Sequence, residues 1–229
     1  MTTRADARRL AAPLLARHPD LAMVKRLILI KPVTHVLRAL EIGGSAYPGT
    51  YHICWFAQFT FPARPLTHYT WGTRFSGVWE RGDPALAASL VTRVEAEALP
   101  VIRPILTLPD LVTFANSEFN ELHLLRHRVH STLITNVALG RLDEARAKCG
   151  YLRKRAIVES QRDRRPHMAV IRVALELVPL VEADDREGMA RLLWQWEAGM
   201  IKTYKLEKYW VKEPFPLEEQ NGLAVWKEQ

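Results

Sequence analysis

The chain has 229 residues, near half of them apolar and a quarter charged, the balance of an ordinary globular protein of one large domain or two small ones. No run approaches the roughly 20 apolar residues of a bilayer span; the longest core-like run is Leu27-Ile28-Leu29-Ile30. The formal charge of +7 fits an anionic partner or plain solubility, and a bacterial-looking composition rich in Arg, Ala and Leu favours solubility.

Arg4 to His18 sets Leu10, Ala11 and Leu14 at helical spacing among charges. Arg4, Arg8 and Arg9 before an apolar stretch superficially suggest a signal peptide. Pro13 interrupts that stretch, Arg17 and His18 end it, and no small-residue cleavage site follows, so a short amphipathic helix is expected. Met23 to Ile30 reads as a strand stopped by Lys31-Pro32. Val33 to Ile42 fits either a helix stripe or a strand. Neighbouring strands and the turn residues Gly43-Gly44-Ser45 and Pro48-Gly49 favour the strand.

Tyr51 to Phe61 alternates most clearly, and His68 to Phe75 follows a proline-rich loop as its antiparallel partner. If opposed residue numbers sum to an even value, Trp55, Phe59 and Phe61 share a face with Tyr69, Trp71 and Phe75. His52, Gln58, His68, Thr70 and Arg74 then collect on the other. An odd sum mixes both sets on both faces, so the even register is expected, with the aromatic face buried.

At Asp83-Pro84 the apolar period changes from two to three or four. Asp83 suits an N-cap and Pro84 the first helical position, for a helix to about Leu99 that Pro100 and Pro104 keep from continuing. Pro109-Asp110 opens a short helix to Ala115. Glu118 to Leu139 reads as a long helix ended by Gly140, with Leu142 to Arg155 as its antiparallel partner.

Residues Ala138 to Ala145 resemble the inter-helix corner of a tetratricopeptide-type hairpin. The likeness covers under ten residues and does not recur at a fixed period, so it implies a hairpin and not a solenoid. Pro166 to Val181 and Met189 to about Trp210 read as further helices. The tail Leu217 to Gln229 is expected to be irregular, with Leu223, Val225 and Trp226 docked on the body. The fold class is therefore α+β: a small antiparallel sheet of three to four strands in the N-terminal third, packed by an all-helical C-terminal part of antiparallel hairpins. Residues 1–116 hold the sheet and 117–229 the helices, as one compact unit.

No phosphate-cradling glycine loop, Gly-x-Ser-x-Gly elbow, His-Glu-x-x-His or Cys-x-x-Cys occurs. Cys54 and Cys149 read as free thiols of a reducing compartment. Four constellations carry candidate chemistry. His123, His127 and His130 fall on one helix stripe and are the candidate ligands of a zinc ion, although Arg126 and Arg128 between them repel a cation. Arg153, Lys154, Arg155, Arg162, Arg164 and Arg165 form a basic stretch suited to phosphates, with Tyr151 to stack on a base. His52, Gln58, His68 and Arg74 could hold an anion or supply a general acid, against the plainer reading of a solvated sheet face. Trp194, Tyr209 and Trp210 are candidate interface anchors, lying off or near the end of the core stripe of Leu193, Trp196, Met200, Tyr204 and Glu207.

The expectation drawn from these residues is a non-enzymatic interaction protein of the bacterial cytoplasm, an adaptor or immunity-like protein. It would need no cofactor and no membrane, and would meet a protein partner or a second copy of itself. The first alternative is a ligand-binding or hydrolytic protein using the sheet face or the histidine stripe. The second is nucleic-acid binding through residues 151–167.

Overall fold

The computed structural model describes residues 3–61, 71–117, 119–120, 125, 128–161 and 165–227, with backbone alone at 161 and 165–170. The chain divides into two compact units. The first is Met1–Phe59, Pro65–Phe114 and Ile201–Val211; the second is Thr60–Arg64, Ala115–Met200 and Lys212–Gln229.

The first unit is built on an antiparallel meander of β1 (Leu21–Val24), β2 (Leu27–Ile30), β3 (Val36–Gly44), β4 (Thr50–Phe59) and β5 (Trp71–Arg74). The two-residue β6 (Trp79–Glu80) also pairs with β4. The sheet has more strands than the sequence pattern predicts, because Met23 to Ile30 is not one strand. It turns at Lys25-Arg26, where Lys25 adopts φ 57°, and folds back as the β1–β2 hairpin. Residues 36–42 are strand.

The even register holds between β4 and β5: Trp55 faces Thr73 and Ala57 faces Trp71. Trp55 and Trp71 therefore share a sheet face, and both are buried. Leu40 lies opposite Trp55 and Ile42 opposite Ile53, which extends that face onto β3. Its cover comes from α1 (Arg4–Arg17), through Ala7, Leu10, Ala11 and Leu14, and from the helical run that begins with α2 (Leu86–Arg93). Each large side chain buried there contributes about 1.5–3 kcal/mol. Trp55 and Phe75 thus find their helical cover within their own unit.

That helical run does not end before Pro100. After α2 the backbone widens into a π turn at Val94–Ala98, where the Leu99 amide bonds to the Val94 carbonyl, and α3 (Leu99–Ile102) follows. The wide turn resets the hydrogen-bond register so that Pro100 falls in a first turn, where no amide proton is needed. At α4 (Leu108–Ala115) the Asp110 amide donates to Thr107 Oγ1 at 3.3 Å. The Thr107 amide returns a bond to Asp110 Oδ2 at 2.8 Å, a reciprocal cap.

The second unit is helical: α5 (Val129–Ala138), α6 (Leu142–Gln161), α7 (Arg165–Glu182), α8 (Arg186–Tyr204) and α9 (Pro216–Asn221). The last four residues of α8 belong to the first unit. Gly140, at φ 72°, closes the α5–α6 hairpin. The helix expected from Glu118 is helical as α5 only from Val129. Arg128 has φ −108° and ψ 86°, outside the helical region. At the other end, α8 stops where Lys205 takes φ 62°. Beyond it, the Val33 amide donates to the Tyr209 carbonyl at 2.9 Å and the Val211 amide to the Val33 carbonyl at 2.8 Å, which ties this segment to the sheet unit. The tail is not irregular throughout, since Pro216 starts α9 and Gly222, at φ 64°, ends it. No helix of the described residues is long and apolar enough to cross a membrane.

Candidate functional site

The polar sheet face does not gather its candidates into one place. His52 and Gln58 are six residues apart on β4, about 20 Å along an extended strand, too far to hold one small ligand. Cys54 and Phe56, on the same face between them, are buried, as are Leu37 and Ala39 beside them on β3. Gln58 is buried too, so this face is closed over its middle and not a solvated surface. The apolar neighbours on β3 and β4, and not the polar members alone, set the burial of this face. His52 is half-buried, and burial, with Arg74 nearby, lowers its pKa. Glu41, Cys54 and Arg74 fall in one row across three strands. The Cys54 thiol is pushed up to about 12 by burial and then by the Glu41 carboxylate, so it stays protonated and is no nucleophile. His68 lies outside the described residues.

His123 and His127 also lie outside the described residues. His130 sits in the first turn of α5, half-buried. The spacing that put three histidines on one stripe assumed a continuous helix, and the backbone at Arg128 interrupts it. Among the described residues no group of three His, Cys, Asp or Glu could hold a metal ion.

Of the basic stretch, Arg153 is bonded to Glu182 at 2.6 Å and Arg155 forms an ion pair with Glu159 at 2.7 Å, so two of its cations are already compensated. Lys154 is exposed. Arg162 and Arg164 lie outside the described residues, and Arg165 begins α7. Trp194 does not offer a free surface. It is fully buried, with its ring 5.2 Å from that of Phe215 and its Nε1 donating to Glu218 Oε2 at 2.8 Å. The tail residues that follow α8 supply this cover. Tyr209 and Trp210 are half-buried.

A site that sequence reasoning did not assemble lies at one end of the sheet. Ser45 and Tyr47 after β3, Thr50 and Tyr51 at the start of β4, and the segment from Arg74 to Trp79 line an open groove of about 340 Å³. Tyr47-Pro48-Gly49-Thr50 makes a tight turn, with Gly49 at φ 77° and Pro48 before it, as a type II turn requires. The Thr50 hydroxyl donates to the Tyr47 carbonyl at 2.9 Å and locks it.

The groove has a fixed aromatic floor. Tyr51, Phe75 and Trp79 are buried, and the Phe75 and Trp79 rings meet edge to face at 5.9 Å. The Arg93 guanidinium lies 5.2 Å from the Phe75 centroid and 5.5 Å from that of Trp79. It is held there by Ser76 and by both oxygens of Glu97, at 2.6 and 2.9 Å. Arg81 covers the Tyr51 ring at 5.2 Å. The rim is open: Tyr47 and Val78 are each 75% exposed, and Arg74 is exposed with no ion-pair partner among the described residues. The lining residues include hydroxyls, aromatic rings and one guanidinium, and among them there is no carboxylate, imidazole or thiol. Arg74 alone was a candidate from sequence. The other residues read as turn and strand ends, and the signal available was the pair of glycine turns flanked by aromatics.

Two other polar clusters are internally compensated. His18 Nε2 meets Glu95 Oε1 at 2.8 Å and its Nδ1 meets Arg103 Nη2 at 3.1 Å, so Nδ1 accepts and Nε2 donates. Arg17 grips Glu95 and Arg103 grips Asp20, each through two bonds. In the second unit, a polar groove near Gly140 contains Arg146 and Arg186, paired with Asp143 and Asp184. Comparison with protein families, with curated proteins and with solved structures finds no match for this chain.

Proposed function

We propose that the protein is a non-catalytic interaction protein that receives a partner in the aromatic groove of its sheet unit. The observation that carries this reading is the pairing of a braced aromatic floor with an exposed rim of Tyr47, Val78 and Arg74. Aromatic and arginine side chains in a prearranged pocket are the usual anchors of protein recognition. No carboxylate, imidazole or thiol lies in the described lining, which favours binding over hydrolysis. The ion pairs of Arg153 and Arg155 weigh against the nucleic-acid alternative. An adaptor or immunity-like role in the bacterial cytoplasm fits free, buried cysteines in a reducing compartment.

Capture from a native lysate with the tagged chain tests the reading. A partner identified by mass spectrometry is expected with the wild type and with Tyr151→Ser on α6. It should be lost with Val78→Arg and reduced with Tyr47→Ala. Both groove positions are exposed, so these changes leave the core intact. An identical set of captured proteins from all four chains overturns the proposal.

A further inference from the structure

Resting on the reading of the groove as a recognition site, we infer that its occupant is an acidic peptide segment, a carboxylate bound by Arg74 beside an aromatic or branched apolar side chain on the Tyr51–Phe75–Trp79 floor.

Arg74 is the one charged residue among the described lining of the groove. Arg74 lines it and makes no hydrogen bond or ion pair among the described residues, although most other described arginines of this unit hold a carboxylate or a ring. Arg81 lies over Tyr51 and Arg93 over Phe75 and Trp79, and neither is among the groove's lining residues. Glu97 compensates Arg93, and Arg26 lies 3.4 Å from Glu41. His52 lies close enough to Arg74 for its titration to be lowered by that charge. Glu80, on β6 next to Trp79, forms no ion pair with Arg74. A carboxylate arriving at the rim would therefore meet a guanidinium with its donors free, the geometry that favours charge-assisted pairing.

The floor supplies the second half of the recognition. Phe75 and Trp79 are held at a fixed angle and backed by a guanidinium that is itself anchored at Ser76 and Glu97. Such a surface need not be ordered on binding, so an apolar side chain laid on it keeps most of its burial energy. Tyr47 and Val78, both largely in water, line the same groove and offer that side chain further apolar contact. The volume, about 340 Å³, suits one or two side chains and not a folded domain. An extended segment of a partner is the form in which neighbouring acidic and apolar side chains reach such a groove together.

The test is a random heptapeptide library displayed on phage and panned against the full chain. Enriched sequences are expected to carry Asp or Glu within two positions of an aromatic or branched residue. Fluorescein-labelled copies of them should bind by polarisation. Their affinity should fall about tenfold with Arg74→Gln and with Val78→Ser, fall again at high salt, and stay unchanged with Lys154→Gln. Enrichment of basic or neutral sequences, no enrichment, or binding indifferent to Arg74→Gln overturns the inference. So does a 15-nucleotide oligothymidylate that binds with Arg74 dependence while no acidic peptide does. If lysate capture is lost with Val78→Arg but survives Arg74→Gln, the groove is a docking site and only the acidic occupant is wrong. If capture ignores both changes, the underlying reading fails with it.

Discussion

Glu218 and Trp194 are joined by a 2.8 Å hydrogen bond in the interior of the helical unit, and neither side chain reaches solvent. The same carboxylate accepts from the Phe215 amide at 3.0 Å and, through its other oxygen, from the Trp226 amide at 2.9 Å. Three N–H donors thus converge on one buried side chain and fasten the tail against α8. Glu218→Gln can satisfy only one of the two sides, because its amide nitrogen must face a donor. A loss of about 2 kcal/mol is expected, read as a lower urea midpoint by circular dichroism, with earlier hydrogen exchange in α9. An unchanged midpoint would mean that the site relaxes around the amide.

Gly72 has no room for a side chain. A Cβ there would lie 2.6 Å from the Phe56 Cα and 2.9 Å from its Cβ, against the backbone of the neighbouring strand. Since backbone cannot step aside without breaking the β4–β5 ladder, Gly72→Ala should cost at least about 3 kcal/mol. Differential scanning calorimetry would show this as a lowered Tm for the sheet unit.

The cysteines should be silent in the native protein. Burial raises the pKa of both thiols, that of Cys54 to about 12, with Glu41 adding to the effect. Dithionitrobenzoate at pH 8 should modify neither until denaturant is added. The sign of the pH effect follows. A raised thiol pKa stabilises the fold below the unfolded value near 9, and that contribution is lost as pH rises toward 12. Cys54→Ala should therefore lose less stability than the wild type over that interval.

Glu41 offers the opposite experiment at acid pH. Burial raises its pKa, and Arg26, 3.4 Å away, only partly offsets this. The folded chain holds the proton more tightly than the unfolded one, so ionising Glu41 weakens the fold as pH rises past the ordinary carboxylate range. Glu41→Gln is expected to raise the urea midpoint at pH 7, with the gain shrinking as the pH is lowered to 4. A lower midpoint at pH 7 would show that the pair with Arg26 outweighs desolvation.

Much of the sheet was legible in the chain. The alternation of aromatics in 51–61 and 71–75 allows one clean register, and Trp55 and Trp71 share a buried face as that register demands. The β1–β2 turn was not legible, since Lys25-Arg26 has none of the usual turn residues and Lys25 takes a left-handed conformation unaided. Pro100 misled for a different reason: a proline forbids a continuing α-helical register but not one shifted by a π turn. The burial of Trp194 depends on Phe215 and Glu218, over twenty residues away, so helix periodicity could not disclose it. The groove was hidden because two separate turns build it. Each looks like ordinary punctuation until the sheet brings Tyr47 and Val78 to one end.

The chain passes from the sheet unit to the helical one and back more than once, with Thr60–Arg64 belonging to the second and Ile201–Val211 returning to the first. Genetic dissection at residue 116 would therefore yield no autonomous half. The N-terminal fragment would lack the strand-like segment that bonds to Val33, and the remainder would carry that segment with no sheet to receive it.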